Sequence, residues 1–164
     1  MKRLLPALLL CSLAANLRAE EGDAKEPAAE AAGVSFDGIW KPKGAMLGGT
    51  LLPPPALKAI TLTIADDKYE VSIEGEEHSD RGFFVLDETV TPKRMVIKST
   101  AGPNEGKIFL AIYESTGETS MRVCYDLSGK AFPTEFKAPQ DSELYLVGYH
   151  RQKAAEKQHR PAPQ

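Results

Sequence analysis

The sequence predicts an all-β domain built as an antiparallel meander of eight short strands. Apolar residues recur in eight blocks, each of a length typical of a strand and too short for an average helix. The gaps between the blocks contain glycine, proline, aspartate and other turn-forming residues. No heptad pattern or internal repeat favours a coiled coil or a solenoid. Eight such strands close into a barrel or fold as a sandwich.

The strand-sized blocks are spaced as a meander requires. They cover residues 36–41, 59–65, 68–73, 82–86, 94–99, 107–114, 119–126 and 144–151. Asp66 and Asp67 separate the second block from the third, and Thr116, Gly117 and Glu118 separate the sixth from the seventh. Both connections have the length and composition of hairpin turns.

Alternation within the blocks indicates which side of each strand is buried. Tyr69, Val71 and Ile73 share one side of the third block, and polar residues occupy the other side, as in a half-exposed strand. By contrast, blocks 107–114 and 144–151 are apolar on both sides, so we expect a cover on their outer face.

Two glycine-containing stretches and one proline-rich stretch lie between the blocks. The proline-rich stretch 51–60 predicts a short helix that supplies the outer cover. Residues 44–49 and 102–106 predict flexible loops, because neither joins a strand to a helix as a phosphate-binding loop does. The apolar loop 46–52 fits two roles equally well, a lid over a barrel opening or a buried plug.

The amino terminus has the pattern of a secretion signal. Lys2 and Arg3 precede an apolar run of about a dozen residues, and Ala19 offers a small residue before an acidic stretch. The run is shorter than the roughly 20 residues that a membrane-spanning helix needs. We therefore expect residues 1–19 to be removed and the protein to be secreted or periplasmic, without a membrane span. Lipid anchoring at Cys11 is the less favoured alternative, because Leu10 replaces the usual small residue before a lipidated cysteine.

Cleavage after Ala19 changes the charge and the cysteine content of the chain. Loss of Lys2, Arg3 and Arg18, with no acidic residue, moves the formal charge from −3 to −6. This balance argues against a nucleic-acid-binding protein, which usually carries a basic surface. Cys124 becomes the sole cysteine, so no internal disulfide can form.

The two ends of the mature chain differ in composition from its middle. Residues 20–35 contain mainly alanine, glycine and charged residues, which predicts a disordered acidic linker. Residues 152–164 are similarly polar and predict a flexible tail. Residues 36–151 remain as one folded domain, which we expect to be a monomer.

Motifs between residues 38 and 151 occur in the order and spacing of a known family. They are Gly38-Ile39-Trp40, Leu86-Asp87, Pro92-Lys93, Gly102, Gly106-Lys107, Ala111-Ile112-Tyr113-Glu114, Cys124, Pro133-Thr134-Glu135-Phe136 and the last strand. Together they resemble a secreted lipocalin-like family of unknown function described mainly from Planctomycetes. The resemblance implies a small lipocalin-like barrel rather than a sandwich.

Two residues depart from the pattern of that family, and one motif extends the resemblance. Phe132 stands where the family has arginine before proline, which puts any ion pair of that arginine in doubt, and Glu118 replaces an aspartate. Gly38 and Trp40 also resemble the strand opening of true lipocalins, where the tryptophan closes the barrel floor. The resemblance therefore implies structural roles for Gly38 and Trp40.

The sequence offers no recognisable catalytic or metal-binding motif. His78, His150 and His159 have no second ligand at metal-site spacing, and no serine lies in a Gly-x-Ser-x-Gly setting. Cys124 has no adjacent base to activate it, which predicts a packed, unreactive thiol. We therefore expect a protein without enzymatic activity, bound metal or cofactor.

The predicted inner face of the barrel is also its candidate binding surface. It comprises Tyr69, Val71, Phe84, Ile112, Tyr113, Met121, Val123 and Tyr125, of which Tyr69, Phe84, Tyr113, Met121 and Tyr125 are the candidate ligand-binding residues. One hypothesis is a binding module for a small apolar ligand. The alternative is an envelope or extracellular interaction domain with a filled core, which would bind a partner protein through loops such as 139–143. A secreted enzyme is the least favoured third class.

Overall fold

The computed structural model describes residues 35–153, which form nine β-strands and one short helix. In chain order these elements are β1 (Gly38–Leu47), β2 (Thr50–Leu51), α1 (Pro54–Ala59), β3 (Ile60–Ala65), β4 (Lys68–Ile73), β5 (Asp80–Asp87), β6 (Lys93–Ala101), β7 (Ile108–Thr116), β8 (Ser120–Asp126) and β9 (Leu144–Arg151). The predicted signal peptide lies outside the described residues, as do nearly all of the predicted linker and most of the predicted tail. No helix within residues 35–153 is long and apolar enough to cross a membrane.

The strands form a closed antiparallel barrel. From β3 to β9 each strand pairs with the next along the chain, and β1 pairs with both β3 and β9. Trp40 lies where the two pairings of β1 overlap, because it is opposite Leu62 on β3 and Arg151 on β9. The predicted all-β meander, closed into an eight-strand barrel with one short helix, is confirmed.

The first strand is longer than the sequence predicts. It continues past residue 41 to Leu47 through an irregularity between Pro42 and Gly44, and it pairs with β9 along this length. The prediction of a flexible loop over residues 44–49 is therefore wrong for residues 44–47, which belong to β1. Gly48 and Gly49 form the turn into β2 with φ angles of 51° and 83°, which glycine adopts without strain.

One end of the barrel is filled by large side chains, and we call it the closed end. Trp40 is 1% exposed, and its indole Nε1 donates a hydrogen bond to the Phe36 carbonyl oxygen at 2.7 Å. The Arg151 guanidinium lies 4.8 Å from the centre of the Trp40 ring. The Tyr113 ring packs edge-on against Phe36, with centroids 5.5 Å apart. Trp40 is thus held by a backbone carbonyl group and by a guanidinium group, beside the aromatic pair of Phe36 and Tyr113.

Gly38 begins β1 beside this cluster, and its conformation explains the residue type. Its φ angle is 131°, a region that side-chain-bearing residues rarely adopt. The Arg151 side chain lies close to the position that a β-carbon would occupy, at 3.6 Å. Gly38 therefore lets the chain enter β1 directly under the arginine that covers Trp40.

The outer cover is a loop segment and not the predicted helix. Residues 127–143, which we call the outer strap, connect β8 to β9. Arg94 on β6 lies 4.6 Å from the centre of the Phe132 ring, and Arg122 on β8 lies 4.2 Å from that of Phe136. Helix α1 contacts β1 and β3 and has no buried residue, so the expectation that it covers the apolar strands is wrong.

The outer strap also explains why β7 is apolar on both sides. Ile112 lies opposite Cys124 in the sheet register, and both are almost completely buried although neither belongs to the barrel core. The Cys124 thiol donates to the Lys137 carbonyl oxygen at 3.3 Å, which places this side under the strap. The prediction that Ile112 faces the interior is wrong, because Tyr113 faces inward and neighbouring strand residues alternate.

The strap is fixed at its start by a buried carboxylate. Asp126 accepts hydrogen bonds from the backbone N–H groups of Ser128, Lys130 and Ala131 at 2.9, 3.1 and 2.9 Å. Burial opposes ionisation of Asp126, but these bonds and the Ser128 hydroxyl outweigh it and lower its pKa. The ends of the strap meet where the Leu127 N–H donates to the Glu143 carbonyl oxygen at 3.0 Å.

Replacing Trp40 tests the role of the closed end. We expect Trp40→Ala to lower the free energy of unfolding by about 3–5 kcal/mol, because it removes a buried ring and leaves a cavity. Urea denaturation followed by circular dichroism measures this change. Phe83→Ala is the control, since that ring is 41% exposed, and we expect a smaller loss. Unchanged stability in Trp40→Ala would contradict its structural role.

Candidate ligand-binding cavity

The barrel interior contains a cavity of about 430 Å³ toward the end opposite Trp40, which we call the open end. Its apolar wall consists of inward-facing side chains from several strands, including Leu62, Val71, Phe84, Met95, Phe109 and Val123. The exposed residues Glu76, His78 and Pro103 also line it, and they belong to the loops β4–β5 and β6–β7. These loops form the mouth of the cavity.

Four of the five candidate residues from the sequence line this cavity. They are Tyr69, Phe84, Met121 and Tyr125. Tyr113 is buried at the closed end instead, where its hydroxyl donates to Glu88 Oε1 at 3.1 Å. All five residues belong to the barrel interior, but they lie at different heights along the barrel axis. Whether they bind a ligand stays a prediction.

Tyrosine rings form one side of the cavity. Tyr125 and Tyr145 lie opposite each other on β8 and β9, and their rings stack with centroids 5.9 Å apart and an interplanar angle of 26°. Tyr69 lines the cavity from β4. Burial raises the pKa of Tyr145 to about 12 and raises the pKa values of Tyr69 and Tyr125 further. This wall combines apolar faces with hydroxyl groups that stay protonated.

A carboxylate that the sequence analysis missed lies in the cavity wall. Asp80 Oδ2 accepts from the Tyr69 hydroxyl at 2.9 Å, while Oδ1 accepts from the Ser99 hydroxyl at 2.9 Å and the Asn104 N–H at 3.1 Å. Ser99 is completely buried. Asp80 is therefore held in one orientation by three donors from three different parts of the chain.

The loop β6–β7 reaches Asp80 because of a glycine. Gly102 has a φ angle of 95°, and a β-carbon there would overlap the carbonyl oxygen of Ser79 and lie 2.9 Å from the Asp80 Cα. Glycine permits both the conformation and the close approach. The approach brings the Asn104 N–H to the Asp80 carboxylate, so residues 102–106 form a specific support and not a flexible loop.

The remaining polar candidates from the sequence lie in separate places. His78 lines the cavity mouth. His150 lies on β9 with a buried Nδ1 that has no hydrogen-bond partner among residues 35–153, and His159 is outside the described residues. Cys124 is buried under the outer strap, where burial raises its pKa, so the thiol is kept in its less reactive protonated form. No three acidic, histidine or cysteine side chains within the described chain could together hold a metal ion.

No protein-family model matches the chain, and no curated protein matches it significantly. The resemblance to the lipocalin-like family stays a prediction from motifs.

The tyrosines provide a test of the interior at high pH. Burial raises the pKa of all five tyrosines above the usual value of about 10. The unfolded chain therefore loses tyrosine protons first, so stability is complete below pH about 10 and falls as the pH rises toward and beyond 12.

We expect the folded protein to ionise almost none of its five tyrosines at pH about 11, while the denatured chain ionises nearly all of them. Tyrosinate absorbance, measured with and without guanidinium chloride, checks this. Ionisation of the folded protein at the same pH as free tyrosine would mean that water reaches the rings freely.

Proposed function

We propose that this chain is a secreted, non-catalytic binding protein that holds a small apolar ligand inside its barrel. The observation that supports the proposal is the cavity of about 430 Å³. Small-molecule sites commonly measure about 300–1,000 Å³ and are mostly apolar with a few polar groups. Protein interiors are otherwise close-packed, so an apolar space of this size in a small barrel favours an occupant.

The division of the barrel into two ends supports the same function. The closed end, around Trp40 and Tyr113, gives the fold its solid core. The open end then contributes less to packing and is free to accept a ligand through the loops β4–β5 and β6–β7. Burying the apolar surface of a ligand against this wall would provide about 25 cal/mol per Å².

The proposal that the protein is secreted is supported by the amino-terminal sequence alone. The basic start, the short apolar run and Ala19 support export, and the cleaved chain would act outside the cytoplasm as a monomer. We further propose that it belongs to the lipocalin-like family that its motifs resemble.

One observation favours the alternative, a domain that binds an envelope or extracellular protein. Apolar side chains are exposed together on the outer face of β5, β6 and β7. Val85 is 61% exposed and lies opposite Val96. Phe83, which is 41% exposed, and Ile108 lie on either side of Lys98, because each of them pairs with that residue in the sheet. Apolar groups clustered on a surface are typical of interaction sites.

Filling the cavity discriminates between the two functions. We expect native mass spectrometry of the exported protein to detect a discrete added mass that organic extraction removes. Val71→Trp places an indole ring in the cavity wall, and we expect it to lose the added mass. Val85→Trp is the matched control, because it adds the same ring on the exposed outer face, and we expect it to keep the mass.

The neutral dye N-phenyl-1-naphthylamine gives a second readout that does not need the natural ligand. We expect its fluorescence to rise with the wild-type protein and with Val85→Trp, but not with Val71→Trp. Equal dye binding by both variants would contradict binding inside the cavity. A bare mass together with no dye binding would support the filled-core alternative.

A further inference from the structure

We infer that the cavity selects a hydrophobic amine, with the positively charged head beside Asp80 and the apolar body against the barrel wall. The inference rests on the proposed ligand-binding function and adds the chemical class of the ligand. It depends on three features of the cavity: an oriented carboxylate without a cationic partner, tyrosine rings in the same wall, and an apolar remainder.

Asp80 carries a negative charge that only neutral groups accompany. Its three hydrogen-bond donors are the Tyr69 hydroxyl, the Ser99 hydroxyl and the Asn104 backbone N–H. None of the ion pairs between residues 35 and 153 includes Asp80. An ionised carboxylate can accept about four hydrogen bonds, so one position on Oδ2 remains for a ligand donor.

The nearby cations are directed to other partners. Arg81 follows Asp80 in the chain, but successive strand residues point to opposite faces, and its guanidinium lies 3.6 Å from Glu70. Among the lysines and arginines of residues 35–153, Lys107 is the one that lines the cavity. Its ammonium donates a hydrogen bond to the Asn104 side-chain oxygen at 3.0 Å. A cationic ligand would therefore supply the charge that the protein leaves unmatched.

The balance of charge in the cavity wall points the same way. Two acidic residues, Glu76 and Asp80, line the cavity. Of the lysines and arginines in the part of the chain that the structure describes, Lys107 alone lines it. A ligand carboxylate placed beside Asp80 would be repelled, because both groups carry negative charge. An ammonium group is attracted at the same position.

The tyrosine rings favour a cation over a neutral polar head. Tyr69, Tyr125 and Tyr145 line the cavity, and Tyr69 contacts Asp80 directly through its hydroxyl. An ammonium or alkylammonium group gains energy from the faces of aromatic rings, most of all where water is excluded. The apolar side chains Leu62, Phe84 and Met121 then surround the rest of the ligand.

A head-group series with one apolar body tests the inference. Octylamine, octanol and octanoate are titrated into the exported protein by calorimetry at neutral pH. We expect octylamine to bind about tenfold or more tightly than octanoate, as one charge-assisted hydrogen bond predicts, with octanol between them.

Asp80→Asn removes the charge with little change in shape. We expect it to weaken octylamine binding about tenfold and octanol binding much less, and the retained octanol binding shows that the cavity persists. Asp67→Asn is the matched control, because Asp67 lies in the β3–β4 turn at the closed end, and we expect no change. If Asp80→Asn does not fold, Glu76→Gln on the mouth loop replaces it, with a smaller loss expected for octylamine alone.

The outcomes separate this inference from the proposed function. Binding of octanol without preference for octylamine, or tighter binding of octanoate, would overturn the amine selectivity while ligand binding stands. Failure of all three compounds to bind would overturn both. Preference for octylamine that Asp80→Asn abolishes, or that Glu76→Gln weakens, would support both.

Discussion

The closure of the sheet at β1 is the constraint on which the rest of the structure depends. β1 pairs with β3 over its first residues and with β9 over most of its length, and Trp40 takes part in both pairings. The Trp40 ring also fills the floor of the barrel under Arg151, and its indole N–H donates a hydrogen bond to the Phe36 carbonyl oxygen. Strand closure and core packing are therefore achieved at one point.

The barrel interior is filled at the closed end and hollow toward the open end. Trp40, Phe36 and Tyr113 occupy the floor, whereas a cavity lies among the tyrosines and aliphatic residues nearer the other end. The outer strap complements this arrangement, because it buries Ile112 and Cys124 outside the barrel and stabilises β7 and β8 without filling the cavity. The fold is thus stabilised by the closed end and by the outer strap, and the cavity remains at the open end.

The fold could largely be predicted from the sequence, because alternation and turn residues act locally. Blocks such as 68–73 and 144–151 match β4 and β9 in both bounds, and the Gly38 and Trp40 motif marked the start of the closing strand. The cover could not be predicted, since the outer strap has no periodicity and is held by single contacts such as Arg94 with Phe132.

The site was less accessible to sequence reasoning for two physical reasons. A period of two identifies the face of a strand but not the height along the barrel, so the sequence does not distinguish Tyr113 from Tyr125. Asp80 follows a run of acidic and turn-forming residues and resembled part of a solvated loop, whereas its donors Tyr69, Ser99 and Asn104 come from distant positions. Such convergence depends on register and exists only in the folded chain.

Xenon binding, followed by NMR of methionine methyl groups, tests the central claim that the barrel is hollow at its open end. Apolar cavities take up xenon. Met95 and Met121 line the cavity, whereas Met46 on β1 does not, so the chain contains its own control. We expect xenon pressure to shift the signals of Met95 and Met121 and to leave Met46 unchanged. Absence of a shift at Met95 and Met121, or the same shift at all three, would contradict the account.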